Sequence, residues 1–446
     1  MDAYAFRSLD CGEYYRIARN LAYEHTFSQS DAPPLQPDTW RTPGYPLFLA
    51  GLMLLLGDSP PRLVIAQQAL AVLNILLFYR VSQSSLGKRR AMAAGLLFTL
   101  EPYGVLYSLW LMSTTWFVTA LLLTGYAWNR AKETHRAICF AASGLASGFL
   151  VLIWPLAVLV PVALLGQLLV TWLRHLRVGS ARQQEVPPQP ETATVATTRP
   201  SFSNTRMLRG AVVFALGVVL TVGSWMARNK LVAGHFALSH QSGIVLVYFK
   251  GTEVALWRAG RTADRYLETS LDPAKADWPH SHWDSIDARL RSRFAHLPPD
   301  QIAQLHWRNL AQGNRTTLDG FEVSRALTRV AWSEFTESPL ETIVCYAARM
   351  VDNLTFPLSL AFLSYHGLDP PSRSKNAAIG GLYTLLLLAV IVRLVRGGVH
   401  WAAGYFPLVC SVALLLVASP QVDPRFRVAL VPMLIFLALL PKKSVT

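Results

Sequence analysis

The sequence predicts an all-α polytopic membrane protein, and three observations predict it. Of 446 residues, 52% are hydrophobic and only 15% are charged, with a mean hydropathy of +0.30. The apolar residues gather into stretches of roughly 15 to 23, long enough to cross a hydrocarbon core at about 1.5 Å per helical residue. The positive charge, +14 net, falls in clusters that alternate with those stretches. This pattern excludes a soluble multidomain enzyme, a disordered tail and a disulfide-stapled secreted domain. It also argues against a nucleic-acid partner, because the basic clusters mostly lack the stacking aromatics that such a groove needs.

Membrane crossings are predicted at about 61–83, 91–106, 109–128, 138–152, 154–173, 210–226, 376–393, 399–419 and 427–441. Lys88, Arg89 and Arg90 follow the first, and Arg130, Lys132 and Arg136 follow the third. Six arginines lie between Arg174 and Arg209, and Arg393, Arg396, Lys442 and Lys443 complete the set. By the positive-inside rule these loops face the cytoplasm, so the N-terminus lies outside and the C-terminus inside. The chain then divides into an outer N-terminal loop (1–60), a first bundle of about six spans (61–226), an outer domain (227–375) and a C-terminal bundle of about three spans (376–446).

The N-terminal loop opens with a polar helical stretch from Glu13 to Glu24. After a proline-rich passage comes the apolar run Tyr45 to Leu56, too short for an ordinary span and better suited to the outer interface. The cytoplasmic linker 174–209 is rich in proline, threonine and glutamine from Pro187 to Pro200, a composition that predicts disorder. The outer domain shows helical periodicity at 324–335 and 340–354, and its stretch 340–362 is apolar enough to touch the membrane. Neither a signal peptide nor a first hydrophobic span precedes the loop, which suggests a gene product that starts upstream.

Cys139 and Cys410 fall inside apolar runs and read as packing residues. Cys11 and Cys345 share the outer side, so a disulfide between them stays open. No cysteine spacing suits zinc. His280, His282 and Asp284 form a short polar group that an exposed loop explains as well as a metal does. Walker-type and Rossmann glycine patterns are both missing, so no nucleotide or other soluble cofactor is expected.

Four motifs in order carry a resemblance. SLDCGEYYRIARNLAYEHTFS (8–28), RTPGYPLFLAGLMLLLG (41–57), SWMARNKLVAGHFALS (224–239) and DPRFRVALVPMLIFLAL (423–439) together resemble bacterial membrane glycosyltransferases of the GT-C superfamily. The nearest group is related to protein O-mannosyltransferases and lipid A aminoarabinose transferases. The resemblance implies a GT-C-like helical bundle with outer juxtamembrane helices and a mostly helical outer domain, in a bacterial inner membrane. It implies a polyprenyl-phosphate-linked sugar as donor, a glycan, lipid or protein acceptor on the outer face, and a transmembrane helix ahead of the first loop.

Asp10 occupies the acidic position of the resembled first loop, where it would accept the proton of an acceptor hydroxyl or orient it. On its residue type alone it is a helix cap or first-turn carboxylate. Glu13 lies about one helical turn on, so the two carboxylates would face one cleft, repel, and raise one pKa. Arg228 and Asn229 emerge at the outer end of a span. There an arginine either snorkels to headgroups or grips a polyprenyl phosphate with its planar fork. Arg425 and Arg427 break the positive-inside trend and read as anion ligands, with Arg41 facing the same region. Tyr14 would hydrogen-bond substrate or pack the loop. Pro43, Gly44, Tyr45 and Pro46 would shape the cleft.

One departure from the resembled pattern is sharp. The run Leu111-Met-Ser-Thr-Thr-Trp-Phe117 places Thr114 where a second acid is common. A threonine carries no charge at neutral pH, and Glu101, near the outer end of a span, is the nearby acid that would compensate. Two rival readings follow: a non-catalytic polyprenyl-lipid-binding or scaffold protein of envelope polysaccharide assembly, and a lipid or polysaccharide transporter. The transporter would want internal repeats and broken mid-membrane helices.

Overall fold

The computed structural model describes residues 9–183, 204–260, 277–306, 309–310, 318–355, 373–396, 401–419 and 424–441. The described residues contain helices and no strand. Helix α1 (Leu9–Tyr23) and α2 (Gly44–Leu56) are joined by the 24–43 loop. Next come α3 (Pro60–Leu86), α4 (Lys88–Thr99), α5 (Pro102–Ser108), α6 (Thr114–Thr134), α7 (Ala137–Ile153), α8 (Leu159–Gln183) and α9 (Asn204–Ala233). A short π-helical stretch, Val245–Gly251, leads into α10 (Thr252–Arg258), followed by α11 (Asp277–Arg293), α12 (Gly320–Glu337) and α13 (Pro339–Thr355). Helices α14 (Arg373–Val395), α15 (Trp401–Ala418) and α16 (Pro424–Leu439) close the chain.

Three helical stretches among the described residues, Pro60–Leu86, Pro155–Leu173 and Thr205–Ala233, are long and apolar enough to cross a membrane. Four more, Gly44–Leu56, Ala137–Ile153, Gly380–Val395 and Gly404–Leu416, are apolar but shorter. Their outward side chains, such as Leu73, Leu145, Val219 and Leu385, are what a lipid-facing surface requires, since hydrocarbon carries no penalty for an exposed leucine. The bundle is held by close packing of helix on helix. At the α7–α9 contact, a Cβ on Gly144 would overlap the Phe214 carbonyl and one on Gly148 would overlap the Thr221 side chain. Small residues four apart thus let the two backbones touch, which in lipid replaces the hydrophobic driving force.

The structure corrects several boundaries. The predicted span 91–106 is two helices, because α4 ends at Thr99 and Glu101 caps a new helix, α5, whose first residue is Pro102. Helices α8 and α9 extend to Gln183 and back to Asn204, so both ends of the predicted linker are helical. Of that linker, 184–203, with the Pro187 to Pro200 tract, lies outside the described residues, as do residues 1–8, 356–372, Lys442 and Lys443. Helix α9 runs on to Ala233, seven residues past the predicted end of its span. Helix α13 (Pro339–Thr355) covers 340–355 of the apolar stretch 340–362. It exposes Leu340, Ile343, Val344 and Val351 while burying Cys345, Arg349 and Asn353, an amphipathic face suited to lying against a membrane rather than crossing it. All four cysteines are free, so the Cys11–Cys345 pairing left open by the sequence does not form.

Two apolar cores result. The larger unites α1–α9 with α14–α16. The smaller gathers Val247, Tyr248, Ile286, Leu290, Val323, Leu327 and Val330 from the stretch after α9, and it also takes in Trp40 from the N-terminal loop. Trp40 thus anchors that loop in the second core, one residue before Arg41.

Candidate functional site

The site grows from one turn of α1. Asp10 and Glu13, three residues apart, project from the same face, and the Arg41 guanidinium lies between them. Arg41 Nη2 is 2.5 Å from Asp10 Oδ1 and 2.5 Å from Glu13 Oε2, and its Nε donates to the same Glu13 oxygen at 2.6 Å. The Arg41 guanidinium also covers the Tyr14 ring, 4.9 Å from its centroid. A second arginine arrives from the far end of the chain: Arg425, in the first turn of α16, donates from Nη1 to Asp10 Oδ2 at 2.8 Å. Each Asp10 oxygen therefore faces its own guanidinium.

Burial alone would raise the Asp10 pKa, but Arg41 and then Arg425 overcome it and hold the carboxyl down at about 2. At Glu13 the balance tips the other way. Burial dominates, Arg41 opposes it, and the Asp10 charge adds to the rise, so its pKa lies above the usual carboxylate value. The two acids are split, one firmly ionised and the other readier to hold a proton, as carboxylates sharing one cation are expected to be.

The Arg41 backbone is fixed from two directions. Asp38, fully buried, accepts from the Arg41 N–H at 2.9 Å and the Trp40 N–H at 3.1 Å, closing an Asx turn, while Gln29 Nε2 donates to its other oxygen at 2.9 Å. Burial pushes the Asp38 carboxyl up to about 6 against those hydrogen bonds. On the other side Ser239 Oγ donates to the Trp40 carbonyl at 2.6 Å and Thr39 Oγ1 meets His240 Nδ1 at 2.9 Å. Burial lowers the His240 imidazole to about 4, so at neutral pH it is an uncharged hydrogen-bonding partner.

Here the structure redirects Arg228 and Asn229. Arg228 Nη1 donates to the Asp38 carbonyl at 2.5 Å and to Asn229 Oδ1 at 2.9 Å, and Nη2 to the Phe27 carbonyl at 3.4 Å. Its guanidinium lies over Trp225 at 4.7 Å and Phe27 at 5.4 Å. Asn229 donates to the carbonyls of Ala237 and Leu238 at 2.8 and 3.2 Å. Both brace the ends of loops and lie apart from the carboxylate pair. The cause is the extra length of α9, which carries them to the 27–38 loop.

The other expected residues also separate. Tyr14 stays at the site with the Ser113 side chain beside it, and Ser113 accepts from Trp154 Nε1 at 2.9 Å. The second loop therefore meets the cluster through Ser113, while Thr114 beside it is fully buried and its hydroxyl has no partner among the described residues. Tyr45 does not face the cleft; it packs edge-on against Tyr14 at 5.0 Å and donates to Gln67 Oε1 at 2.8 Å. Gly44 lets α2 approach α7 closely, because a Cβ there would strike the backbone at Leu152 and Ile153.

Glu101 is not brought to Asp10. It caps α5 by accepting from the Gly104 N–H, and it accepts from the Tyr383 hydroxyl. Arg427 joins this second knot, 4.8 Å from the Tyr383 ring centroid and 5.5 Å from that of Tyr103, and donates to the Asn353 carbonyl at 3.0 Å. Two residues apart on a helix point roughly 200° apart, so Arg425 and Arg427 serve different clusters. Elsewhere Asp284, Asp287 and His306 bring one ligand atom each within 4.8 Å of one another.

Asp38, Ser113, Trp154 and Tyr383 were missed from the sequence. Only Asp38 left a signal, as an acid three residues before an arginine in a proline-rich turn.

A family model described as dolichyl-phosphate-mannose-protein mannosyltransferase matches residues 40–180. The match begins one residue before Arg41 and takes in Tyr45, Glu101 and Thr114. It bears out, over about a third of the chain, the resemblance to GT-C superfamily glycosyltransferases. No curated protein matches. Among solved structures, the ArnT protein of Cupriavidus metallidurans in the apo state is 15% identical, with 96% of this chain and 71% of that one covered at a TM-score of 0.33. The same protein bound to undecaprenyl phosphate is 14% identical, with 95% and 72% covered at a TM-score of 0.33. A likeness that slight has no bearing on the site.

Proposed function

We propose that the chain is a membrane glycosyltransferase that moves a sugar from a polyprenyl-phosphate-linked donor to a hydroxyl of a glycan, lipid or protein at the outer face of a bacterial inner membrane, with its C-terminus cytoplasmic. The observation that carries this reading is the Asp10–Arg41–Arg425 arrangement: an ionised carboxylate and two guanidiniums meet where α1, the 24–43 loop and the start of α16 converge. A carboxylate beside cations is what attack on a sugar phosphate requires. The acceptor oxygen forms the new bond to C1, and its proton goes to an Asp10 oxygen. The C1–O bond to phosphate breaks, its electron pair leaves on the phosphate, and an arginine fork stabilises that charge.

In this account Arg425 faces the donor phosphate and Arg41 holds the two acids in register. Arg228 and Asn229 act at one remove by bracing the loop that positions Arg41. The outer helices beyond α9 would offer the acceptor its path. The test is transfer of labelled sugar from a synthetic polyprenyl-phosphate sugar by the purified protein, with Asp10→Asn as the inactive control.

A second reading, a lipid-binding scaffold without catalysis, is favoured by Thr114, whose buried hydroxyl replaces an acid common in the resembled family. It predicts bound polyprenyl phosphate with no transfer, in the wild type and in Asp10→Asn alike.

A further inference from the structure

We infer that Arg425 is an exchangeable partner of Asp10: the phosphate of the lipid-linked donor draws Arg425 away, and Asp10 becomes a competent base only when that donor is in place. The inference rests on the function proposed above and says how the site couples donor binding to acceptor activation.

Three observations carry it. First, each Asp10 oxygen is engaged by a different guanidinium, Oδ1 by Arg41 at 2.5 Å and Oδ2 by Arg425 at 2.8 Å. A carboxylate so clamped is an anchor and takes up protons poorly. Second, the two arginines are unequal. The Arg41 side chain is 8% exposed, bridges Glu13 as well, and is fixed through the Asp38 turn. The Arg425 side chain is 31% exposed and comes from the start of another helix. Of the two, only Arg425 is open to an arriving anion. Third, a phosphate offers the same fork-to-oxygen geometry as the carboxylate with more charge, so it competes well for a guanidinium.

Once Arg425 turns to the phosphate, Asp10 keeps Arg41 and feels Glu13 one turn away, so its proton affinity rises. Among the described residues, the charged and titratable groups facing Asp10 are Glu13 and Tyr14 from α1, Arg41 from the loop and Arg425 from α16. Loss of one cation from that set shifts the balance toward the protonated carboxyl. Without donor, the base stays quenched.

Labelling of Asp10 by a water-soluble carbodiimide and an amine, followed by peptide mass spectrometry across a pH series, tests the exchange on the full chain in nanodiscs. The reagent takes the protonated carboxyl, so the pH of half-maximal labelling reports the group's proton affinity independently of shielding. With undecaprenyl phosphate bound, that midpoint is expected to rise by about one pH unit or more; undecaprenol, which lacks the phosphate, is expected to leave it in place. In Arg425→Gln the midpoint is already raised without lipid and does not respond to it. A midpoint unmoved by undecaprenyl phosphate that native mass spectrometry shows to be bound overturns the exchange while sparing the proposed function. Failure of the lipid to bind at all overturns both. An Arg425→Gln midpoint equal to that of the wild type overturns the exchange as well.

Discussion

Arg41→Met isolates the central electrostatic element. Methionine keeps much of the buried aliphatic volume and removes the charge. Asp10, 24% exposed and still facing Arg425, keeps a partner, whereas the Glu13 side chain, 6% exposed, is left ionised beside a second carboxylate. Breaking a buried pair by removing one partner typically costs about 3–5 kcal/mol, since the remaining charge keeps its desolvation penalty. The cost depends on pH with a fixed sign. Burial already holds the Glu13 pKa above its ordinary value, and loss of Arg41 raises it further. The folded state then binds more protons than the unfolded state over the intervening range, so stability falls as pH rises through the folded-state value and recovers below it. Tm in detergent, measured between pH 5 and 8, should drop sharply at pH 8 and less at pH 5. Adding Glu13→Gln should restore most of the loss, because the stranded charge is gone. A Tm loss that is independent of pH, or untouched by Glu13→Gln, would refute the argument that Arg41 is retained to neutralise Glu13.

Four further expectations follow from the same geometry. Asp10→Asn keeps the shape of the site and removes the proton acceptor, so transfer should fall about 10²–10⁴-fold while bound lipid, read by native mass spectrometry, is retained. Arg228→Ala should lower transfer while leaving lipid occupancy near that of the wild type, because its guanidinium is spent on the Phe27 and Asp38 carbonyls; lost lipid would return it to the phosphate. The Asp10 carboxyl, held at about 2 by its two guanidiniums and so below the ordinary aspartate value, should contribute about 2 kcal/mol above pH 4 and lose it as pH falls toward 2; an acid titration of Tm in Asp10→Asn against the wild type measures it. Gly148→Val should disrupt the α7–α9 contact, where a Cβ already overlaps Thr221, and reduce monodisperse yield in size-exclusion chromatography.

Much of the scaffold was legible because lipid imposes a simple rule on sequence. Apolar stretches of spanning length bounded by basic residues located the helices, and all nine predicted crossings contain helix. The Asp10–Glu13 pairing was legible too, since a spacing of three on a helix fixes a shared face. What the sequence could not supply were partners. Arg425 reaches Asp10 across a separation of 415 residues, and no local pattern records that pairing. Arg228 has the same type and motif whether it holds a phosphate or two carbonyls; seven further residues of α9 decide between them. Glu101 read as a costly intramembrane acid, but the proline after it was the stronger clue. Pro102 at the first helical position, with an acid before it, is a helix start, and Glu101 caps α5 accordingly.

The most direct test of the account is native mass spectrometry of the wild-type protein, of Arg425→Gln and of Arg228→Ala, each released gently from its own membrane. The account predicts a polyprenyl phosphate or its glycosylated form on the wild type and on Arg228→Ala, and its loss from Arg425→Gln. Bulk phospholipid alone on the wild type, or a polyprenyl phosphate retained by Arg425→Gln and lost from Arg228→Ala, would contradict it.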